Sequence, residues 1–189
     1  MAFDGCLRRG KRIKMNIEDF KIQIIEEKNN LNDFYSYEKE LVDFLREDAF
    51  QNQHLNLSVT FLWFYEEKLV SYVTLLNDRI TLDGDLQNFF KNKGVLYKSL
   101  PALKIGRLCV DDAFRKKGFG TAMVKFAIKI AKEISLEKAG CRFLTVDAKR
   151  NKKTDQDSYS FYTKLGFESL RLEKEQMNTP MYLDLKLIE

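Results

Sequence analysis

Apolar and polar positions alternate with a period of two near the start of the chain and change to helical spacing soon after. Phe20, Ile22 and Ile24 alternate with Lys21 and Gln23, which predicts a strand over residues 19–27. Tyr37, Leu41, Phe44, Leu45 and Ala49 recur at helical spacing and predict a helix over 36–52. Residues 58–66 and 69–76 are rich in β-branched and aromatic side chains, and the polar Glu66-Glu67-Lys68 between them predicts a β-hairpin. A helix is expected over 83–93, with Leu86, Phe89 and Phe90 on its apolar face and Gly94 as its stop. Leu103, Ile105, Leu108 and Val110 read as a mostly buried strand, followed by a polar turn over 111–117. From Phe119 onward, Ala122, Met123, Phe126, Ala127, Ile130 and Ile134 recur at three and four residues, one face of a long helix that Gly140 should close. The pattern then predicts a strand over 141–148, a charged loop, a short helix over 157–165 stopped by Gly166, and strands over 167–172 and 181–187. Pro180 is expected only at a strand start or on an edge.

Composition narrows the class. The chain has 189 residues, the size of one domain, and 44% of them are hydrophobic, enough for a sizeable core. Thirty-two basic against 28 acidic residues leave a net charge of +4, a mixed solvated surface with a mild preference for anions. Cys6, Cys109 and Cys141 show no paired spacing, so neither a disulfide framework nor a zinc site is expected, and no metal is assigned. Free thiols suit a reducing cytoplasm. No apolar run approaches the ~18 residues of a membrane span. Residues 1–14 are basic with no hydrophobic region after them; they are expected to be a flexible leader rather than a secretory signal, with 15–189 as a single domain. His54, the only histidine, has no nucleophile elbow beside it and is expected in a surface loop.

The order strand, basic glycine-containing loop, helix has a physical use. The first turn of a helix carries amide N–H groups with no intrahelical acceptor, and the aligned peptide dipoles add positive potential there. Glycine lets a phosphate approach the backbone. Arg115, Lys116 and Lys117 add three positive charges just upstream. These features define an anion site suited to a diphosphate. The P-loop pattern and the three-glycine dinucleotide fingerprint are both absent.

The loop reads Arg-x-x-Gly-x-Gly-Thr through Arg115, Gly118, Gly120 and Thr121, followed by Phe-Leu-Thr-Val-Asp-Ala at 143–148 and Phe-Tyr-Thr-Lys-Leu-Gly-Phe at 161–167. These three blocks, in this order, resemble the GNAT superfamily of acetyl-CoA-dependent N-acetyltransferases. The resemblance implies an α/β fold with a mixed, mostly antiparallel sheet, a V-shaped splay and helices on both faces. It implies that the amides of Lys116, Lys117, Gly118, Phe119, Gly120 and Thr121 hold the coenzyme A diphosphate, supplemented by side-chain charge from Arg115 and Lys117. Leu108, Cys109 and Val110 would pair with the pantetheine arm as an added strand does, the Val110 N–H facing the thioester carbonyl. Cys109 alternates to the other face and is not expected to be a nucleophile. Gly106 within the strand suggests a bulge or a close backbone approach. Tyr162 would protonate the leaving thiolate as general acid. Asn151 is the nearest asparagine for a pantetheine contact, while Asp155 stands seven residues before the tyrosine.

Transfer in such enzymes is direct, so the acceptor amine must be neutral. A lysine side chain titrates near ~10.4, an α-amine near ~7.7–8.0. No dedicated base stands out; Asp43, Glu47, Asp48 and Asp147 read as solvated or capping charges. This favours an α-amine or a water-mediated base. The arrangement of 34–49, Gly106-Arg107-Leu108-Cys109-Val110 and Thr179-Pro180-Met181-Tyr182-Leu183 is similar to the toxin branch of the superfamily, whose members acetylate the α-amine of aminoacyl-tRNA. That branch would allow a homodimer, tRNA and an antitoxin as partners. Here Ser36-Tyr37 replaces the branch's cysteine-glycine pair, and segment 78–101 is longer. Other acceptors in view are a small metabolite amine or a protein N-terminus, and a silent acyl-CoA-binding module is the reading from another class.

Overall fold

The computed structural model describes residues 2–8, 11–16, 20–150, 157–170 and 178–188. Two compact units are present. One comprises residues 1–76 and 105–127, the other 77–104 and 128–189.

A two-stranded antiparallel hairpin, β1 (Ala2–Arg8) and β2 (Lys11–Asn16), occupies the stretch expected to be a flexible leader. The main sheet has seven strands in the order β3-β4-β5-β6-β7-β9-β8. β3 (Lys21–Ile24), β4 (Val59–Tyr65) and β5 (Lys68–Thr81) are successive antiparallel neighbours. Glu66 and Glu67 make the β4–β5 turn at φ 48° and 63°. Two left-handed residues match the twist of a two-residue hairpin, although two glutamates are a costly way to supply them. β6 (Ser99–Val110) and β7 (Phe143–Lys149) are neighbours in this order, with α4 (Phe119–Glu133) between them in the chain. β9 (Asn178–Asp184) lies antiparallel to β7 on one side and to β8 (Glu168–Ser169) on the other. The fold is therefore a mixed α/β one with mostly antiparallel pairing, as expected.

The helix expected over 36–52 runs as α1 (Lys39–Asp43), a π-helical turn (Phe44–Asp48) and α2 (Ala49–His54). Its inner face supplies Val42, Leu45 and Ala49 to a core shared with Phe34, Tyr72 and Cys109. The Tyr72 hydroxyl donates to the Leu41 carbonyl at 2.6 Å, so a fully buried phenol still finds a partner. α3 (Gly84–Asn92) ends at Gly94 with φ +77°, as the sequence predicts. Phe90 anchors a second core with Ile80, Leu82, Ala102 and Phe143.

Two expectations need correction. Gly140 does not cap the long helix in the left-handed region. α4 passes into a π-helical turn (Ile134–Lys138), and the chain leaves it by going extended at Ala139. Pro180 stands third in β9 rather than at its start. Its carbonyl accepts from the Leu170 N–H at 2.9 Å, and β8 has already ended at Ser169 on that side. Proline has no N–H to return the bond to Leu170, which fits the β8 pairing ending at Ser169.

Candidate functional site

The glycine-containing loop lies between the end of β6 and α4, within the first unit. A 3₁₀ turn (Asp112–Phe114) follows β6 and is capped by the Asp111 side chain. Lys116 takes φ +58° and Gly118 φ +92°. Left-handed residues on either side of Lys117, which does not share their positive φ, give the alternation that anion-binding nests use. The first helical bond of α4 runs from the Ala122 N–H to the Gly118 carbonyl at 3.0 Å. The amides of Phe119, Gly120 and Thr121 consequently fall in the first turn, where no intrahelical acceptor exists. α4 holds this end rigidly: Phe119 is buried, with its ring against Phe20 at 5.3 Å and Phe114 at 5.7 Å. Ala122, Met123 and Ala127 from the predicted face are buried, and Val124 and Ala131 join them.

The basic side chains of the loop are tied down. Arg115 places its guanidinium 4.1 Å from the Tyr37 ring centre, donates to the Tyr37 hydroxyl at 2.9 Å and reaches Asp112 at 3.5 Å. Lys117 donates to the Ala113 carbonyl at 2.7 Å and lies 5.0 Å over the Phe114 ring. Their charge stays in the loop, but as fixed positive potential more than as free arms.

The structure also brings in residues that the sequence pattern left as a turn and a helix start. Segment 35–37 is laced to the end of β6. The Asp111 carboxylate accepts from the Tyr35 N–H and the Ala113 N–H, both at 3.0 Å. Asp112 accepts from the Tyr37 N–H at 2.9 Å and donates its own N–H to the Tyr35 carbonyl at 3.0 Å. Asp111 is only 3% exposed, so these bonds replace water outright. The one sequence signal was Asp-Asp directly after a buried strand, a pattern that turns and caps also use.

At the end of β6, Leu108 and Val110 are half-buried and Cys109 is buried. Burial pushes the Cys109 thiol up to about 11, with a hydrogen bond to Ser36 working the other way. It is therefore a thiol at neutral pH, consistent with its exclusion as a nucleophile. Gly106 is a point of close approach: a Cβ there would meet Leu76 Cδ2 at 2.6 Å.

Tyr162 belongs to the second unit, in α5 (Ser158–Thr163). Asp157 caps this helix by accepting from the Tyr159 N–H at 3.0 Å, and Gly166 at φ +88° ends the turn after it. Tyr162 is 5% exposed, between the Phe161 and Phe167 rings at 5.0 and 5.3 Å. Burial raises its phenol pKa well above the ordinary value, so it holds its proton throughout the physiological range. Asn151 and Asp155 lie outside the described residues. His54 is exposed and stacks on Phe50, apart from the loop's lattice of contacts. Among the described residues no group of three or more His, Cys, Asp or Glu is placed to hold a metal. No helix among them is long and apolar enough to cross a membrane.

A basic, glycine-containing loop opening a long helix, followed by a strand and a short helix bearing a buried tyrosine, is the element order that the sequence resemblance implies. The chain belongs to the acetyltransferase (GNAT) family, matching it over residues 23–167, and is an acetyl-CoA-dependent N-acetyltransferase. Among solved structures, it is similar to AtaT complexed with acetyl-methionyl-tRNAfMet, at 24% identity over 89% of this chain and 96% of that one, TM-score 0.73. A tyrosine-to-phenylalanine mutant of KacT matches at 20% identity over 89% and 96%, TM-score 0.72. AtaTR bound with AcCoA matches at 24% identity over 90% and 96%, TM-score 0.70. At these identities the likeness is one of fold. No curated protein sequence matches the chain significantly.

Proposed function

We propose that the enzyme acetylates the α-amine of an aminoacyl-tRNA. The loop 115–121 holds the diphosphate of acetyl-CoA, and Leu108, Cys109 and Val110 offer backbone groups to the pantetheine arm. The neutral amine attacks the thioester carbonyl, a C–N bond forms, and the Val110 N–H faces the developing oxyanion. The C–S bond then breaks, Tyr162 gives its proton to the leaving sulfur, and solvent returns one to the phenol while taking one from the nitrogen. A phenol held protonated by burial suits that duty.

The observation that carries the choice of acceptor is the state of the acids considered as bases. Asp147 is ion-paired to Lys104 at 2.7 Å and Asp43 to Lys39 at 3.7 Å, while Glu47 and Asp48 are exposed on the helix. None has the desolvated, unpaired setting of a strong base. An α-amine titrating near ~7.7–8.0 needs none, whereas a lysine ε-amine does. AtaT, complexed with acetyl-methionyl-tRNAfMet, shares the fold and supports the same acceptor.

Thiol release from acetyl-CoA tests the reading. Aminoacyl-tRNA should drive it, with uncharged tRNA, small amines and lysine peptides near background. Equal or faster release with a small amine would overturn the acceptor. Coenzyme binding with no release from any amine would make the protein a silent module.

A further inference from the structure

The chain's positive charge is not spread evenly. Between Asp85 and Asp111 there is no acidic residue, yet Lys91, Lys93, Lys98, Lys104 and Arg107 fall in this interval. Elsewhere bases and acids nearly cancel, so this one stretch accounts for the net charge of +4. Lys104 is neutralised by Asp147, and Arg107 bonds the Gly106 carbonyl and covers the Phe44 ring. Lys91, Lys93 and Lys98 remain: all three are exposed, and among the described residues none is ion-paired.

These lysines sit on a built turn. Gly94 at φ +77° closes α3, with the Val95 N–H and the Lys93 N–H both bonded to the Phe90 carbonyl. The Leu82 N–H bonds the Lys98 carbonyl at 2.9 Å and ties down the far end. Phe90 goes inward at 4% exposure, while Phe89 stays 40% and Tyr97 73% exposed. Lys93 lies 4.4 Å over the Phe89 ring. The outer surface therefore alternates ammonium groups with exposed aromatic faces on a fixed scaffold.

We infer that the turn from Phe89 to Lys98 is a contact surface for the acceptor's RNA, with Lys91, Lys93 and Lys98 on backbone phosphates and Tyr97 stacked against an unpaired base. This rests on reading the acceptor as an aminoacyl-tRNA. The chemistry discriminates between partners. Lysines that are not held in ion pairs give up none to meet a polyanion, and each phosphate contact releases counterions. An exposed tyrosine beside them supplies the sequence-tolerant stacking that single-stranded nucleic acid uses. A protein partner would be expected to find mixed charge around the apolar side chains instead.

The experiment measures binding of the full chain to bulk deacylated tRNA across a salt series, together with turnover on aminoacyl-tRNA. The K91A/K93A/K98A variant should bind about tenfold or more weakly at low salt and lose about 2 units of salt slope. Its KM for aminoacyl-tRNA should rise and its affinity for coenzyme A stay unchanged, which also shows that it is folded. Tyr97→Ala should cost about tenfold in affinity with the salt slope intact. A triple variant with wild-type slope and KM overturns the surface while leaving the acceptor reading standing. Lysine-dependent tRNA binding without acetylation of aminoacyl-tRNA would support the surface and overturn the acceptor.

Discussion

The Arg115 guanidinium stacks on the Tyr37 ring at 4.1 Å while donating to the Tyr37 hydroxyl at 2.9 Å. Thus a charge from the glycine-containing loop is held by a residue far away in sequence, through a fork that only arginine provides. Arg115→Lys should lower coenzyme A affinity almost as much as Arg115→Ala, by about three- to tenfold, since lysine keeps the charge but not the planar two-point contact. Calorimetric titration of coenzyme A measures this. Full affinity in Arg115→Lys would mean that charge alone matters.

The buried Asp111 carboxylate satisfies the amides of Tyr35 and Ala113. Asp111→Ala leaves both without a partner and should cost about 2–4 kcal/mol of stability in urea unfolding. Asp111→Asn keeps one acceptor oxygen and should cost less. Coenzyme affinity should fall in step with the loosening of segment 35–37.

Gly106 and Leu76 share one space, for a Cβ added at Gly106 would lie 2.6 Å from Leu76 Cδ2. Gly106→Ala should destabilise by about 1 kcal/mol, because the end of a leucine side chain can give way. Combining it with Leu76→Ala should cost clearly less than the two single changes added together. Strict additivity in denaturation midpoints would deny the contact.

Burial holds the Cys109 thiol up at about 11 and the Tyr37 phenol up at about 12, the latter partly offset by Arg115. Both groups favour their neutral forms more strongly in the fold than in the unfolded chain. Their stabilising effect is complete below the unfolded values, about 8.5 for Cys and about 10 for Tyr. It is lost as pH rises through the folded values. Stability should therefore be insensitive to these groups at neutral pH and decline above about pH 9. At about pH 8, native Cys109 should resist a thiol reagent that labels it at once in urea.

Tyr162 is protonated by its surroundings and sits in the short helix that the sequence places it in. Tyr162→Phe should lower turnover by about 10²-fold or more with coenzyme affinity nearly unchanged. Unaltered turnover would remove the general-acid role.

Much of this architecture is legible in the chain because local chemistry and periodicity agree. Gly94 and Gly166 end helices in the left-handed region as expected, and Glu66-Glu67 turns the hairpin between two aromatic strands. The elements that escape the pattern do so for physical reasons. β5 runs on to Thr81 through Asn77, Asp78 and Arg79, polar residues that mask a strand. β6 begins before Pro101, which reads as a break. The π-helical turns at 44–48 and 134–138 keep the apolar spacing of an α-helix and leave no mark on it. In the site, the glycine loop and Tyr162 carry a motif. The lacing by Asp111 and Asp112 does not, because their partners Tyr35 and Tyr37 lie about 75 positions away in the chain.

The most direct test of the account is coenzyme A binding to Gly120→Glu, measured by titration calorimetry. A carboxylate in the first turn of α4 sets bulk and negative charge against the diphosphate. Binding should be lost while the thermal transition stays close to that of the parent. A Gly120→Glu protein that still binds coenzyme A at parental affinity would contradict the placement of the diphosphate, and with it the mechanism built on that loop.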